Sequence, residues 1–374
     1  MPRVSNGNGA FEISVELGAL TSVAKDPQIA VRVGPAVASL VNGVGGDPLM
    51  QLRLLHEARS LLFDMGDSGR MALRSAHQVS DVFITHCHAD HIGGFMWFLR
   101  SRIGHFPPCR LFGPPGLLGH IEGMVRGILW DRAEDRGPRF LVHEWHGDHL
   151  KRWRLNAGEG PPVLLEEVAT PNGVIHREPE FQVRAALLDH GTPVMAYAWE
   201  PFGKLNVRKD GLAGLGVPAG PWLHELKMAV LRDRPDSLVS PGDGRSYRAG
   251  DLAARLLLQA PGEAVVYATD FADTPDNVRR MTDLAANAHT LFCEASFMLE
   301  DVDQARRTGH LTTEATARIA NAAGVQQLVA FHFSHRYARR RDQVYAELAR
   351  FTHRLRVPAR ESAPSDCPPI RSVR

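Results

Sequence analysis

Three histidines and an aspartate fall within six consecutive residues, His86-Cys87-His88-Ala89-Asp90-His91, directly behind the apolar stretch Val82-Phe83-Ile84-Thr85. Side chains two apart in an extended segment share a face, roughly 6 to 7 Å from one another, so His86 and His88 can converge on one cation. Asp90 and His91 follow where a helical pattern begins, which lets them turn toward a second. Imidazole nitrogen and carboxylate oxygen together suit Zn²⁺, ahead of Mn²⁺ or Fe. The chemistry such a pair of cations performs is hydrolysis.

A dinuclear site needs more donors than one motif supplies, and three candidates sit at the ends of later apolar runs. His190 closes Ala185-Ala186-Leu187-Leu188-Asp189, Asp270 closes Val265-Val266-Tyr267-Ala268-Thr269, and His332 lies in Val329-Ala330-Phe331-His332-Phe333-Ser334. Each alone reads as a hydrogen-bonded polar residue at a strand end. In the order His, Asp, His behind the first motif they read as the missing ligands. His143, His146 and His149, with Asp148, are spaced by three, yet Trp145, Gly147 and the prolines around them favour a loop over a second metal face.

Short apolar runs bounded by Gly, Pro and Asp predict strands over 29–33, 61–64, 82–85, 110–112, 183–188, 264–269 and 327–333. Helical periodicity covers 92–102, 119–130, 276–287, 312–323 and 341–355; the fourth has Thr312 and Thr313 as caps, Glu314 in its first turn and Gly324 at its end. Strands mixed with helices along the whole chain predict one α/β sandwich-like domain. Residues 135–162, charged, aromatic and punctuated by Gly and Pro, read as an insertion. Residues 202–247 read as an arm, and the Pro/Ser-rich stretch 358–374 as a disordered tail.

A formal net charge of +1 advertises no general affinity for nucleic acid. Cys87, Cys109, Cys293 and Cys367 form no CxxC pair, which argues against a thiolate zinc site or a disulfide framework. No apolar run follows a basic start and none reaches membrane-spanning length, so the expectation is a cytoplasmic protein without a membrane partner.

Taken together, His86, His88, Asp90, His91, His190, Asp270 and His332 resemble the ligand set of the metallo-β-lactamase superfamily. Gly309-His310-Leu311-Thr312, His332-Phe333-Ser334-His335-Arg336-Tyr337 and the Gly/Pro stretch ahead of Leu226-Lys227 narrow the resemblance to its ribonuclease Z (tRNA 3′-end endonuclease) branch, over roughly residues 40 to 340. The resemblance implies a four-layer αββα sandwich across residues 1–357, from which an exosite-like arm protrudes. It implies two zinc ions per chain, one held by His86, His88 and His190, the other by Asp90, His91 and His332, with Asp270 bridging. A hydroxide held between them would attack the phosphodiester. His310, oriented by Glu294, would protonate the departing 3′-oxygen, and Asp90 would direct the attacking water. A homodimer is also implied.

If pre-tRNA is the substrate, its phosphates must meet cations. Lys204, Arg208, Lys209 and Lys227 on the arm, and Arg336 behind the last ligand, are the candidates; Arg339, Arg340, Arg341, Arg350, Arg354 and Arg356 extend the basic run. Asp64-Met65-Gly66-Asp67-Ser68-Gly69 stands where ribonuclease Z usually carries Asp-Cys-Gly-Glu-Gly-Thr. That change leaves the metal chemistry intact and keeps a second option open, hydrolysis of a small phosphodiester, ester, lactone or cyclic nucleotide. A catalytically silent RNA-binding paralogue would have lost ligands, and none is missing.

Overall fold

Alternation along the strands decides the architecture, because successive side chains point to opposite faces. In a computed structural model describing residues 29–203, 205–259 and 262–358, Leu61 and Phe63 enter one core while Leu62 enters another, and Phe83 and Phe112 part in the same way from Val82 and Leu111. Farther along, Tyr197, Trp199, Tyr267 and Phe292 face the first core, whereas Ala198, Val266, Leu291 and Cys293 face a third. Bulky aromatic residues therefore fill the space between two sheets, and smaller apolar residues receive helices on the outside.

The first sheet has nine strands among the described residues, in chain order from β1 to β9. They are β1 (Ala30–Val33), β2 (Ala36–Leu40), β3 (Met50–Leu54), β4 (Ser60–Phe63), β5 (Val79–Phe83), β6 (Cys109–Gly113), β7 (Arg139–Trp145), β8 (His149–Asn156) and β9 (Val163–Ala169). Its outer face is covered by α1 (Leu73–His77), α2 (Ala89–Ile92), α3 (Phe95–Ser101) and α4 (Leu117–Arg126). The second sheet begins with β10 (Val174–Arg177), β11 (Phe181–Asp189) and β12 (Pro193–Pro201).

The chain then leaves the sheet for β13 (Leu205–Val207), α5 (Lys209–Leu215), α6 (Trp222–Leu231), β14 (Leu238–Val239), β15 (Tyr247–Arg248), α7 (Ala249–Leu256) and β16 (Leu257–Gln259). It returns through β17 (Val265–Ala268), α8 (Pro275–Leu284), β18 (Thr290–Glu294), α9 (Val302–Thr308), α10 (Thr313–Ala322), β19 (Gln327–Phe331) and α11 (Arg341–Phe351). The second sheet runs β10-β11-β12-β17-β18-β19, with α8 and α10 packed on its outer face. The result is the expected αββα layering.

Three expectations need correction. The helix predicted over 92–102 is α3 alone, Phe95–Ser101, with Ile92 ending α2 and Gly93 and Gly94 between the two. A Cβ on Gly94 would lie 2.0 Å from the Gly66 carbonyl oxygen and 2.2 Å from Ser68 Oγ, so this glycine permits the loop after β4 to touch the ligand turn. The stretch 135–162 is no loop: β7 and β8 pair antiparallel and carry the sheet onward. His143 lies buried on β7 opposite Arg152, while His146 and His149 flank the turn at Gly147, whose φ is 99°. The arm extends past 247 to Gln259, since β16 closes it by pairing with β13. It has its own small core of Trp222, Leu226, Val239, Leu252 and Leu256. The predicted tail lies, from residue 359 on, outside the described residues, as do Lys204 and Cys367.

Candidate metal centre

Strands β4 to β7 run parallel, as do β17 to β19, so the loops that leave them gather along one edge of the sandwich, where open α/β sheets place their sites. The histidine motif leaves β5, His190 follows β11, Asp270 follows β17, Glu294 ends β18 and His332 follows β19. Asp64, Asp270 and His332 all hold φ near 57°, the left-handed region that costs a branched residue energy. Three such residues, one leaving the first sheet and two leaving the second, turn the chain sharply along the same edge of the sandwich.

The seven predicted ligands come together in two groups. Ligand atoms of His86, His88, His190 and Asp270 lie within 4.8 Å of one another, as do those of Asp90, His91, Asp270 and His332. Asp270 belongs to both: Oδ1 lies 3.0 Å from His332 Nε2, and Oδ2 lies 3.2 Å from His91 Nε2, 3.7 Å from His86 Nε2 and 3.9 Å from His190 Nε2.

The surrounding groups decide which ring nitrogens face inward. His86 Nδ1 meets Thr85 Oγ1 at 3.1 Å, His91 Nδ1 donates to Asp64 Oδ2 at 3.0 Å, and His190 Nδ1 donates to the Gly309 carbonyl at 2.8 Å. Each leaves Nε2 for the centre. Asp64, fully buried, is held by Thr85 N at 2.7 Å and by Tyr267 OH at 3.0 Å.

This donor set fits two divalent cations. His91 Nε2 is buried without a hydrogen-bond partner, and His88 Nδ1 lies 2.8 Å from His86 Nε2, a separation that needs a proton or a cation between the two nitrogens. Burial first, and the charge on His91 second, push the His86 imidazole down to about 2. At neutral pH it therefore offers a lone pair, the form that binds metal.

Beside the shared carboxylate stands His310, its Nδ1 2.9 Å from Glu294 Oε2. Glu294 is buried and also accepts from Phe271 N at 2.8 Å and Ser296 Oγ at 2.7 Å. Burial works to lower the His310 value, but the Glu294 carboxylate overrides it and lifts the imidazole to about 9. His310 thus carries a proton at neutral pH, with Nε2 left to donate it. Asp90 keeps 43% of its side chain exposed beside His332 and His91.

The predicted RNA contacts are dispersed. Arg208 pairs with Asp210 at 3.5 Å, Lys209 is exposed at the start of α5, and Lys227 is half-buried on α6. Arg336 is engaged by Asp301 at 2.5 Å and lies over the Phe297 ring, and Arg340 pairs with Glu300 at 2.6 Å. Arg356 bonds to Gln327 at 3.2 Å. Much of the basic run after His332 is therefore occupied within the chain. Sequence reasoning assigned no role to Asp64, Thr85 or Ser296. Asp64 carried the same signal as Asp270, a lone acidic residue closing an apolar strand.

Residues 50–129 match the family described as Anti-Pycsar protein Apyc1, and residues 233–333 match the beta-lactamase superfamily domain. Ribonuclease Z of Deinococcus radiodurans is 33% identical over 263 residues, covering 68% of this chain and 76% of that protein. Ribonuclease Z of Synechocystis is 31% identical over 266 residues, covering 70% and 68%. Among solved structures, human tRNase Z, short form, superposes with a TM-score of 0.46 at 18% identity, over 83% of this chain and 93% of that one. No helix among the described residues is long and apolar enough to cross a membrane.

Proposed function

This chain belongs to the ribonuclease Z family of metal-dependent hydrolases, and on that footing we propose that it cuts pre-tRNA endonucleolytically on the 3′ side of the discriminator nucleotide. His86, His88 and His190 would hold one zinc ion and Asp90, His91 and His332 the other, with Asp270 within reach of each. Cations held there would supply Lewis-acid polarisation of the phosphoryl oxygens and a water acidified toward neutrality. Asp90, open to solvent beside the cluster, orients the attacking water. His310 gives its Nε2 proton to the departing 3′-oxygen, and Glu294 keeps the imidazole charged and aimed until it does. The reading includes a cytoplasmic homodimer, a hydrolase domain ending near residue 357 and an arm that meets the RNA.

The observation that carries this reading is the Glu294–His310 pair 3.9 Å from the shared Asp270 carboxylate. A cation pair alone handles esters with good leaving groups, whereas a sugar 3′-oxygen needs a proton as it departs. Pre-tRNA and bis-p-nitrophenyl phosphate should be assayed side by side, with metal content, on the intact chain and on a form whose residues 205–259 are replaced by a short linker. Loss of pre-tRNA cleavage alone on removing the arm supports the reading. Turnover of the small diester with no cleavage of pre-tRNA by the intact chain points instead to a small phosphodiester as substrate.

A further inference from the structure

His310 lines a cleft of about 400 Å³ on the side of α9, within the ~300–1,000 Å³ of small-ligand sites. Leu299 and Val302, both half-buried, give it an apolar wall, and Arg306 and Arg318 bring cations to it. Arg318 is neutralised by Asp273 at 2.5 Å. Arg306 is not held so firmly: its partner Asp303 stands at 3.5 Å and both side chains are largely exposed, the kind of pair that contributes little and yields to a better anion.

The direction of cleavage says what must lie there. Water adds to phosphorus, the P–O3′ bond breaks with its electron pair passing to O3′, and that oxygen takes the His310 proton. The phosphate stays on the downstream fragment, and the nucleoside bearing O3′ lies against His310. We propose that the cleft is the subsite for the nucleotide on the 5′ side of the cut, its base against Leu299 and Val302 and its own 5′-phosphate taken by Arg306. This rests on the ribonuclease reading and adds to it a residue that meets one particular phosphate.

The test uses two pre-tRNAs, one unmodified and one with a neutral methylphosphonate in place of the phosphate immediately 5′ of the discriminator nucleotide. With the wild-type chain the neutral linkage should raise KM about tenfold with kcat little changed, the size of one charge-assisted contact. Arg306→Gln should raise KM for the unmodified RNA by a similar factor and lose all sensitivity to the linkage, which a merely structural role for Arg306 would not produce. Val302→Trp, filling the cleft, should raise KM for both RNAs. The proposal is overturned if the wild type handles both RNAs alike, or if Arg306→Gln still distinguishes them. Turnover of bis-p-nitrophenyl phosphate with neither RNA cut sinks the ribonuclease reading itself, a result distinct from either of those.

Discussion

His91 and Asp64 are joined by a 3.0 Å contact from Nδ1 to Oδ2, with neither side chain reaching solvent. Asp64 touches none of the other inward-facing nitrogens, yet it decides which nitrogen of His91 faces the centre. Asp64→Asn should lower metal affinity by about 10- to 100-fold, the usual effect of losing such a support. Zinc titration of the metal-free protein measures it, and unchanged affinity would remove Asp64 from the site's machinery.

Loss of a ligand and loss of the acid should separate cleanly. His88→Ala should release metal and abolish turnover. His310→Ala should keep its full metal content while cleavage slows by about 10² to 10⁴-fold. Metal analysis with single-turnover kinetics distinguishes the two; a wild-type rate in His310→Ala would mean that another group protonates the leaving oxygen.

Gly94 should tolerate no side chain. A methyl group there meets the Gly66 carbonyl oxygen and Ser68 Oγ well inside contact distance, and neither the backbone nor the ligand turn can yield without moving Asp90, whose carbonyl packs against Gly66. Gly94→Ala should cost about 1–3 kcal/mol, read as a lower thermal midpoint accompanied by weaker metal retention. Gly119→Ala, with open space around it inside α4, is the control expected to leave metal retention unchanged and to raise the midpoint slightly.

A cluster away from the ligand motif should add to the acid unfolding of the protein. Asp81 on β5 is bound by Arg110 and by Arg59 at 2.8 Å, and both arginines also hold Glu178, just past β10, at 2.5 and 2.8 Å, tying one sheet to the other. Burial works to raise both carboxyls, but Arg110 holds Asp81 below the usual carboxylate range, and His176 and Arg59 hold Glu178 well below it. A carboxyl depressed in the folded state contributes stability in full above its unfolded value and loses it as pH falls toward the folded one. Urea midpoints should therefore decline gently from about pH 6.5, where unfolded His86 and His143 take protons that the buried rings refuse, and fall more steeply below about pH 4 as this cluster is protonated. Asp81→Ala, which leaves buried guanidinium groups short of a partner, should cost about 3 kcal/mol at pH 7 and flatten that acid limb.

Much of the candidate site was legible because its would-be ligands obey local rules. A polar residue closing an apolar strand stands out from its neighbours, and strand alternation makes the strand itself visible, which is how His190, Asp270 and His332 could be paired with a motif 100 to 240 residues away. The hairpin β7–β8 escaped notice since its charged residues Lys151, Arg152 and Arg154 and its tight turn at Gly147 look like loop composition until a neighbouring strand supplies hydrogen bonds. Arg336 and Arg340 looked like free cations for the same kind of reason. Asp301 and Glu300 stand some 35 to 40 residues earlier in the chain, and only folding brings them alongside.

Residue type and order determined what chemistry this chain can carry, because imidazole and carboxylate bind metal by their own electronic character and strand ends are written in local periodicity. Tertiary structure alone decided that Asp270 is shared by both ligand groups, that Asp64 aims His91, and that Glu294 keeps His310 charged. Those are relations between loops leaving different strands, and their distances and their shielding from water arise only when two sheets close over a common core.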